Sequence, residues 1–428
     1  MRTVKVGLIG LGTVGSGVVE ILRRHGEDFR RHAGVDLALA RVCDRDATRV
    51  EALGLEPSTF TDDFRVICGD PEIDVVIELV GGTGVAREVV LSALSAGKSV
   101  VTANKALLAT HGEEVMDAAH ENRVDIMFEA SVGGGIPIIS PLKHCLVSNE
   151  IQGVLGIVNG TTNYMLTRMA EDGLDYATAL AEAQARGFAE ADPTADVDGL
   201  DAAAKIAILA SIAFNSRVVL AQVPAEGIRS ITPADIEYAR EMDYTIKLLA
   251  IARRLGDSID IRVHPTLIRS THPLASVNAV YNAIYVVGDA VGETMFFGEG
   301  AGSLPAASAV VGDVIEVARR VQSDALAMVG CTCTDSLRVR DIGELETAYY
   351  IRMRVADEPG VLAATAKVFA DHGVSLASVI QKAAGASEAE LVYVTHTAGE
   401  SAVQAALATI AQNEAVREIG TVLRVEEL

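Results

Sequence analysis

The N-terminal residues combine an apolar run with a glycine-rich turn: Val4-Lys5-Val6-Gly7-Leu8-Ile9-Gly10-Leu11-Gly12-Thr13-Val14-Gly15. The run predicts a β-strand, and residues 14–24 predict the helix that follows it. A G-x-G-x-x-G turn in this context is typical of a dinucleotide site, because its glycines permit a tight turn, close approach of the pyrophosphate and close helix–strand packing. The residues predicted to bind the cofactor here are Gly10, Gly12, Thr13, Val14 and Gly15.

The next part of the chain alternates strands with helices as far as residue 130. The elements predicted there are strands at 36–43, 75–80, 99–102 and 125–129 and helices at 85–96 and 107–121. This alternation predicts an α/β fold of the Rossmann type, with a doubly wound parallel sheet that helices cover on both faces. A helix within residues 306–328 is expected to return to this domain and complete it.

The remaining chain divides into two further predicted domains. Residues 131–305 change to glycine-rich loops, alanine-rich helices and β-branched runs, which predicts an α+β domain. Residues 329–347 are predicted to be a linker. Residues 348–428 follow the order strand, helix, strand, strand, helix, strand, which predicts a ferredoxin-like βαββαβ module.

The composition argues against several classes of partner. The chain has 36 Lys plus Arg against 58 Asp plus Glu, and the net charge of −22 repels nucleic-acid phosphates and anionic lipids. We therefore expect neither a nucleic-acid nor a membrane partner. The N-terminus lacks the pattern of a signal peptide, and no apolar run reaches the roughly 18 residues of a membrane helix. Five scattered cysteines do not predict a disulfide framework, so we expect a cytoplasmic protein.

Two charged positions lie where a dinucleotide-binding sheet meets its ligand. Asp44 ends the second strand and could accept a ribose 2′-hydroxyl, whereas the adjacent Arg45 could meet a 2′-phosphate, so NAD and NADP both stay open. Lys105 follows the strand at 99–102, at the strand end that forms the ligand crevice. The alternative for Lys105 is a solvated lysine at a strand end.

A glycine-rich segment, Glu129-Ala130-Ser131-Val132-Gly133-Gly134-Gly135-Ile136, leaves the last parallel strand. Such a backbone can turn several carbonyl groups inward and, with a carboxylate, bind a cation. A plain interdomain hinge agrees with the sequence equally well.

The stretch from Gly187 to Lys205 is rich in carboxylates. Asp201 and Lys205 lie four residues apart and share a helix face. An exposed ion pair is the alternative, but the surrounding residues are apolar on every face and predict a buried helix. A buried lysine has a lowered pKa and can serve as a proton donor. The carboxylates upstream that can hold a substrate ammonium are Glu190, Asp192, Asp196 and Asp198.

Together these motifs resemble homoserine dehydrogenases of the form with a C-terminal ACT domain. The resemblance covers essentially the whole chain, through Gly10 to Gly15, Asn104 to Ala109, Glu129 to Ile139, Gly156 to Tyr164, Gly187 to Lys205, Phe297 to Gly302 and Asp357 to Leu362. It implies reversible NAD- or NADP-dependent interconversion of L-aspartate 4-semialdehyde and L-homoserine, on the route to threonine, methionine and isoleucine.

The resemblance also implies roles for individual residues. Lys205 would protonate the developing alkoxide, and Lys105 would lie beside the nicotinamide and the substrate. Glu190 and Asp201 would hold the amino acid, and Gly300 would lie in a loop that closes on the cofactor. The middle domain would bind substrate and mediate dimerisation, so we expect a homodimer or a homotetramer.

Two further sites follow from the same resemblance. A sodium ion would be bound at Glu129, Val132, Gly134 and Ile136, the last three through their backbone carbonyls. The ACT domain would bind a feedback amino acid, most plausibly threonine, at a turn that includes Asp357, Gly360, Val361 and Leu362.

Two other functions agree with parts of the sequence. The chain could be an amino-acid sensor whose degenerate dehydrogenase only binds nucleotide, or a dehydrogenase of another amino acid such as aspartate. Degeneration would be expected to erase Lys105, Glu190, Asp201 or Lys205, and all four are present.

Overall fold

The structure is a computed structural model that describes residues 2–327, 330–383 and 387–427, without the side chain of residue 383. Residues 328 and 329, where the predicted return helix ends and the predicted linker begins, lie outside the described residues, as do residues 1 and 428. The chain forms two units. The first unit contains Met1–Val154, Ala204–Gln222 and Asn282–Leu337, and the second contains Leu155–Ala203, Val223–Tyr281 and Arg338–Leu428. The predicted domain boundaries stay a prediction.

The described residues contain the following regular elements. The strands are β1 (Thr3–Ile9), β2 (Asp36–Cys43), β3 (Phe60–Thr61), β4 (Val75–Glu78), β5 (Ser99–Thr102), β6 (Ile126–Met127), β7 (Ile151–Ile157), β8 (Tyr244–Leu255), β9 (Ser258–Arg269), β10 (Tyr281–Gly288), β11 (Gly292–Glu299), β12 (Arg338–Val339), β13 (Glu346–Ala356), β14 (Leu376–Ala383), β15 (Glu388–Thr395), β16 (Ala398–Gly399) and β17 (Val416–Glu426). The helices are α1 (Thr13–Asp28), α2 (Thr48–Ala52), α3 (Phe64–Gly69), α4 (Val85–Ser95), α5 (Lys105–Glu121), α6 (Gly160–Asp172), α7 (Tyr176–Ala185), α8 (Thr194–Val197), α9 (Leu200–Ala213), α10 (Pro233–Glu241), α11 (Ser303–Ser323), α12 (Val361–Asp371) and α13 (Glu400–Ile410).

The first unit is built on a six-stranded parallel sheet with the order β3-β2-β1-β4-β5-β6. Strands β4 and β5 are buried along their whole length, as expected for parallel strands that helices cover on both faces. Helix α11 packs on α1, where a Cβ on Gly17 would lie 2.6 Å from the carbonyl oxygen of Ser303. The predicted Rossmann-type sheet is therefore confirmed.

The structure corrects several details of this sheet. Strand β6 spans only Ile126–Met127, not 125–129, because the chain enters a 3₁₀ turn at Glu129–Ser131. The short elements β3, α2 and α3 were not predicted, since segments of two to six residues carry little periodicity.

The second unit contains a run of strands with the order β8-β9-β17-β13-β15-β14. The C-terminal part has the predicted βαββαβ order, and its antiparallel strands enclose a core around Tyr349, Phe369 and Tyr393. Strand β17 pairs in parallel with β9, which joins this module to the unit. Strand β12, which lies within the predicted linker at 329–347, also pairs with β9.

Candidate active site

The glycine turn of the first unit has the geometry that a dinucleotide site needs. Gly10 has a φ of +101°, and a Cβ there would lie 2.7 Å from the carbonyl oxygen of Leu79. A Cβ on Gly15 would lie 2.0 Å from the carbonyl oxygen of Gly10. Gly12 instead faces open space, with Arg49 Nη1 at 3.7 Å, and no side chain caps α1 in the described structure. The positive end of α1 is thus open to a diphosphate.

Asp44 is fixed against this glycine turn. Its carboxylate accepts the backbone N–H of Leu11 at 2.6 Å and lies 3.5 Å from Arg49, whereas Arg45 is exposed. Sequence analysis did not single out Arg49, because it belongs to the short, unpredicted helix α2. The end of β2 therefore presents one bound carboxylate and two arginines beside the turn.

A buried carboxylate ties together the ends of β4 and β5. Glu78 is fully buried, accepts the hydroxyl of Thr102 at 2.6 Å, and accepts two backbone N–H groups of the following loop at 2.8 and 3.0 Å. Asn104 caps α5 and donates to the carbonyl oxygen of Gly82 at 2.7 Å. This network fixes the start of α5, where Lys105 is the first residue. Sequence analysis did not single out Glu78, although a charged residue inside a buried strand was a signal that could have identified it.

Glu129 uses its carboxylate to bind the backbone. Its two oxygens accept N–H groups from Ile138 at 2.5 Å, Ile139 at 2.7 Å and Ser140 at 2.7 Å. Its own N–H donates to Asp313 Oδ2 at 2.8 Å. The described residues contain no group of three or more His, Cys, Asp or Glu side chains that could hold a metal ion. The carboxylate of Glu129 thus holds residues 138–140 against this turn.

The predicted cation turn contacts the predicted cofactor loop within the first unit. Gly134 has a φ of +56°, and a Cβ there would lie 2.5 Å from the carbonyl oxygen of Gly300. Val132 and Ile136, the other predicted carbonyl ligands, are buried. Ser303 Oγ donates to the carbonyl oxygen of Thr13 at 2.7 Å. Residues 300–303 thus connect this turn with the glycine turn.

Helix α9 is buried as predicted. Asp201 and Lys205 are each only 8% exposed, and both make polar or electrostatic contacts. The alternative of an exposed surface ion pair is therefore wrong. The helix starts in the second unit, which contains Asp201, and continues in the first, which contains Lys205.

The second unit organises two of its carboxylates around one amide side chain. Asn159 Nδ2 donates to Asp196 Oδ1 at 2.7 Å and to Asp201 Oδ2 at 3.0 Å. Asn159 also caps helix α6 through its Oδ1 atom. This amide therefore sets the position of both carboxylates.

The other carboxylates of this stretch differ in their availability. Asp198 forms an ion pair with Arg229, and hydrogen bonds from the side chain and the N–H of Thr194 lower the pKa of Asp192. Glu190 is exposed, and its carboxylate has no hydrogen-bond or ion-pair partner among the described residues. Of the four upstream carboxylates, Glu190 is the one left open to a ligand.

The C-terminal module has an open turn at the start of its first helix. Gly360 precedes α12 with a φ of +94°, and a Cβ there would meet nothing within 4 Å. In the described structure no side chain caps this helix. Val361 is buried and Leu362 is 38% exposed, while Asp357 accepts from Gln381 at 3.4 Å. The N–H of Val361 donates to the carbonyl oxygen of Glu358 at 3.4 Å, whereas no side chain competes for the N–H groups that follow it in the first turn of α12.

Comparison with known proteins gives a consistent result along the chain. Family models match for the homoserine dehydrogenase NAD-binding domain at residues 10–129, for homoserine dehydrogenase at 137–315 and for the ACT domain at 349–415. The chain is 48% identical to the homoserine dehydrogenase of Synechocystis sp. over 432 residues, which covers 99% of both chains. The chain belongs to the homoserine dehydrogenase family. It is therefore an oxidoreductase with a nicotinamide-binding domain and an ACT domain.

Two solved structures extend this similarity. The homoserine dehydrogenase of Thiobacillus denitrificans is 42% identical, with a TM-score of 0.95 and coverage of 100% of this chain and 99% of that one. A hyperthermophilic archaeal homoserine dehydrogenase in complex with NADPH is 28% identical, with a TM-score of 0.64 and coverage of 74% and 98%. None of the helices in the described part of the chain has the length and hydropathy that a membrane crossing needs.

Proposed function

We propose that this chain reversibly interconverts L-aspartate 4-semialdehyde and L-homoserine with NAD or NADP, on the route to threonine, methionine and isoleucine. The observation that carries the proposal is Lys205, which is a buried lysine on the apolar helix α9 of a homoserine dehydrogenase. Its ammonium group suits proton transfer to an oxygen that gains charge.

The chemistry divides between the bound cofactor and the protein. A bound nicotinamide supplies the hydride for the aldehyde carbon. Lys205 donates a proton from Nζ to the developing alkoxide oxygen, and in the reverse direction its neutral amine accepts that proton. Lys105, the first residue of α5, helps to orient the substrate at the carboxyl edge of the sheet.

The carboxylates of the second unit bind the substrate ammonium. Glu190 is free to accept charge-assisted hydrogen bonds, and Asp201 is oriented by Asn159. We assign the amino group of homoserine to Glu190 and Asp201 for this reason.

The glycine turn supports binding of both nicotinamide cofactors. Asp44 is close enough to the turn to accept a ribose hydroxyl, and Arg45 and Arg49 supply positive charge for a 2′-phosphate. We therefore propose that NAD and NADP are both used.

A monovalent cation, most plausibly sodium, would be bound at Glu129 and by the backbone carbonyls of Val132, Gly134 and Ile136. The left-handed φ of Gly134 supports such a carbonyl-lined turn, whereas the carboxylate of Glu129 is already engaged by three backbone N–H groups. The cation would have a structural role, because this turn contacts Gly300.

Threonine is the proposed effector of the ACT domain. The open N-terminus of α12 offers N–H groups to a carboxylate, and the exposed Asp357 can accept an ammonium. Regulatory binding would then involve Asp357, Gly360, Val361 and Leu362.

We also propose that the chain assembles as a homodimer or homotetramer. Strand β11 is the end strand of the order β11-β10-β7, and the exposed side chains of Met295 and Phe297 form an apolar patch on one face that a second copy could cover.

The direct test is an initial-rate assay with homoserine or aspartate and each nicotinamide cofactor. We expect homoserine to be oxidised with both cofactors and aspartate to be inert. Turnover of aspartate alone would support the other amino-acid dehydrogenase. Cofactor binding without turnover of either amino acid would support the sensor.

A further inference from the structure

A buried arginine of the ACT module contacts the part of the second unit outside the module. Arg424 lies on β17, is 5% exposed, and makes two 2.8 Å hydrogen bonds to Glu226. It also donates to Glu400 at 2.8 and 2.9 Å, within the ACT module. One guanidinium therefore joins a carboxylate of the module to one outside it, with the two-pronged geometry that makes such pairs strong.

The segment that follows Glu226 supports the turn before helix α9. The N–H of Ile228 donates to the carbonyl oxygen of Val197 at 2.9 Å. A Cβ on Gly227 would lie 2.0 Å from that same oxygen, and a Cβ on Gly199 would lie 3.3 Å from the carbonyl oxygen of Glu226. The two backbone segments are thus in direct contact, with no space for a side chain between them.

Strand β9 holds the same segment from its other side. The N–H of Glu226 donates to the carbonyl oxygen of Val263 at 2.8 Å, and the N–H of Val263 donates to the carbonyl oxygen of Pro224 at 2.9 Å. Strand β9 also pairs with β17 through Thr266 and Arg424. The position of Glu226 is therefore set by β9 through the backbone and by the ACT module through its side chain.

The supported turn leads directly to the substrate carboxylate. The carbonyl oxygen of Gly199 accepts the N–H of Ala203 in the first turn of α9, which also contains Asp201. A shift of residues 197–199 moves the start of α9 and with it the carboxylate of Asp201 relative to Asn159.

We propose that Arg424 and Glu226 are positioning residues for the substrate: their ion pair holds residues 226–228 against the 197–199 turn and so fixes Asp201. The inference rests on the proposed role of Asp201. It assigns the ACT module a part in substrate affinity through a contiguous set of contacts, whose individual members are expected to change coupling by about 0.5–2 kcal/mol, or about two- to thirtyfold.

The test uses Glu226→Ala in the full-length protein. The side chain of Glu226 is 52% exposed, and its removal leaves Arg424 paired with Glu400, so the variant should fold. Glu418→Ala is the matched control, because Glu418 is 57% exposed and pairs with Arg354 at the same 2.8 Å, outside this path.

We expect Glu226→Ala to raise the KM for homoserine about two- to thirtyfold, while kcat and the KM for the cofactor change little. The control should leave all three unchanged. If Glu226 acts through Asp201, then Glu226→Ala should have no further effect on KM in an Asp201→Asn background.

The outcomes distinguish the positioning role of Glu226 from the substrate-binding role of Asp201. A raised KM in Asp201→Asn with an unchanged KM in Glu226→Ala overturns the positioning role alone. An unchanged KM in Asp201→Asn overturns the substrate assignment and the positioning role with it. A lower kcat together with higher KM values for both homoserine and the cofactor would indicate a general loss of stability and contradict the inference. The same effect in Glu418→Ala would also contradict it.

Discussion

The buried carboxylates of the first unit and the carboxylate-rich stretch of the second unit use the same chemical group in opposite ways. In the first unit, Glu78 and Glu129 have all their oxygens engaged by hydroxyl or backbone N–H donors of the chain itself. In the second unit, Glu190 is exposed and unpaired within the described structure. Because a carboxylate with satisfied oxygens has little capacity left for a ligand, the local donors separate structural from binding carboxylates.

Burial alone does not distinguish a structural carboxylate from one that binds a ligand. Asp201 is buried like Glu129, and its carboxylate accepts a hydrogen bond from the side chain of Asn159 at 3.0 Å. A side-chain partner can exchange for a ligand without breaking the backbone network. We therefore assign Glu129 to the fold and Asp201 to the substrate.

Lys205 is the buried lysine of the first unit to which we assign proton transfer. Its removal should give the largest change in activity. We expect Lys205→Ala to lower kcat about a hundredfold to ten-thousandfold, because a general acid is lost. Cofactor binding measured by calorimetry should be unchanged. A near-normal kcat would remove Lys205 from the mechanism.

Glu129→Ala should destabilise the protein strongly. Two buried N–H groups and one partly buried N–H group lose their acceptor, and each buried loss costs about 1–3 kcal/mol, so we expect a loss of at least about 2 kcal/mol. Denaturant unfolding monitored by circular dichroism measures this. As a control, Glu190→Ala should change stability by no more than about 0.5 kcal/mol. Equal stability losses in both variants would contradict the distinction between the two groups.

Asp44 combines both uses of a carboxylate, because it accepts a backbone N–H and is also assigned to cofactor binding. Asp44→Asn keeps an acceptor for the N–H of Leu11 but removes the charge. Two unit charges about 4 Å apart in water interact by about 1 kcal/mol, so the kcat/KM ratio of NADP to NAD should rise about fivefold. A constant ratio across the two proteins would show that Asp44 does not discriminate between the cofactors.

Lys247 extends the comparison to a buried cation of the second unit, and its effect should be the smallest. Burial lowers the pKa of Lys247 to about 8, and its Nζ donates to Asn163, Val277 and Asn278. Between about pH 8 and pH 10 the unfolded chain binds more protons at this site, so the contribution of Lys247 to stability should increase with pH.

The matched measurement is the difference in unfolding free energy between the natural protein and Lys247→Met across this range. The difference should shift in favour of the natural protein as the pH rises. A difference that is constant with pH would show that the pKa of Lys247 is not lowered in the folded state.

The sequence was most informative where local pattern determines structure. Strands β2 and β5 have the predicted bounds, because short apolar runs and their flanking turns specify them. The glycine turn was equally predictable, since Gly10 and Gly15 have no space for a Cβ. The same pattern of strand, glycine turn and helix also predicted α12 in the ACT module.

Long-range partners could not be predicted in this way. The sequence shows a carboxylate at Glu129 but not that residues 138–140 return to it, and the pairing of β12 with β9 joins positions about 80 residues apart. Arg49 was missed because it acts through the tertiary position of α2 beside the glycine turn. The prediction failed where the fold, and not the neighbouring sequence, chooses the contact.

The KM for homoserine of Glu190→Ala, measured together with its unfolding free energy, tests most directly whether the open carboxylates of the second unit bind the substrate. The account predicts a rise in KM of about tenfold or more with unchanged stability, because a charge-assisted contact contributes about 1.5–3 kcal/mol. An unchanged KM in a stable variant would contradict it.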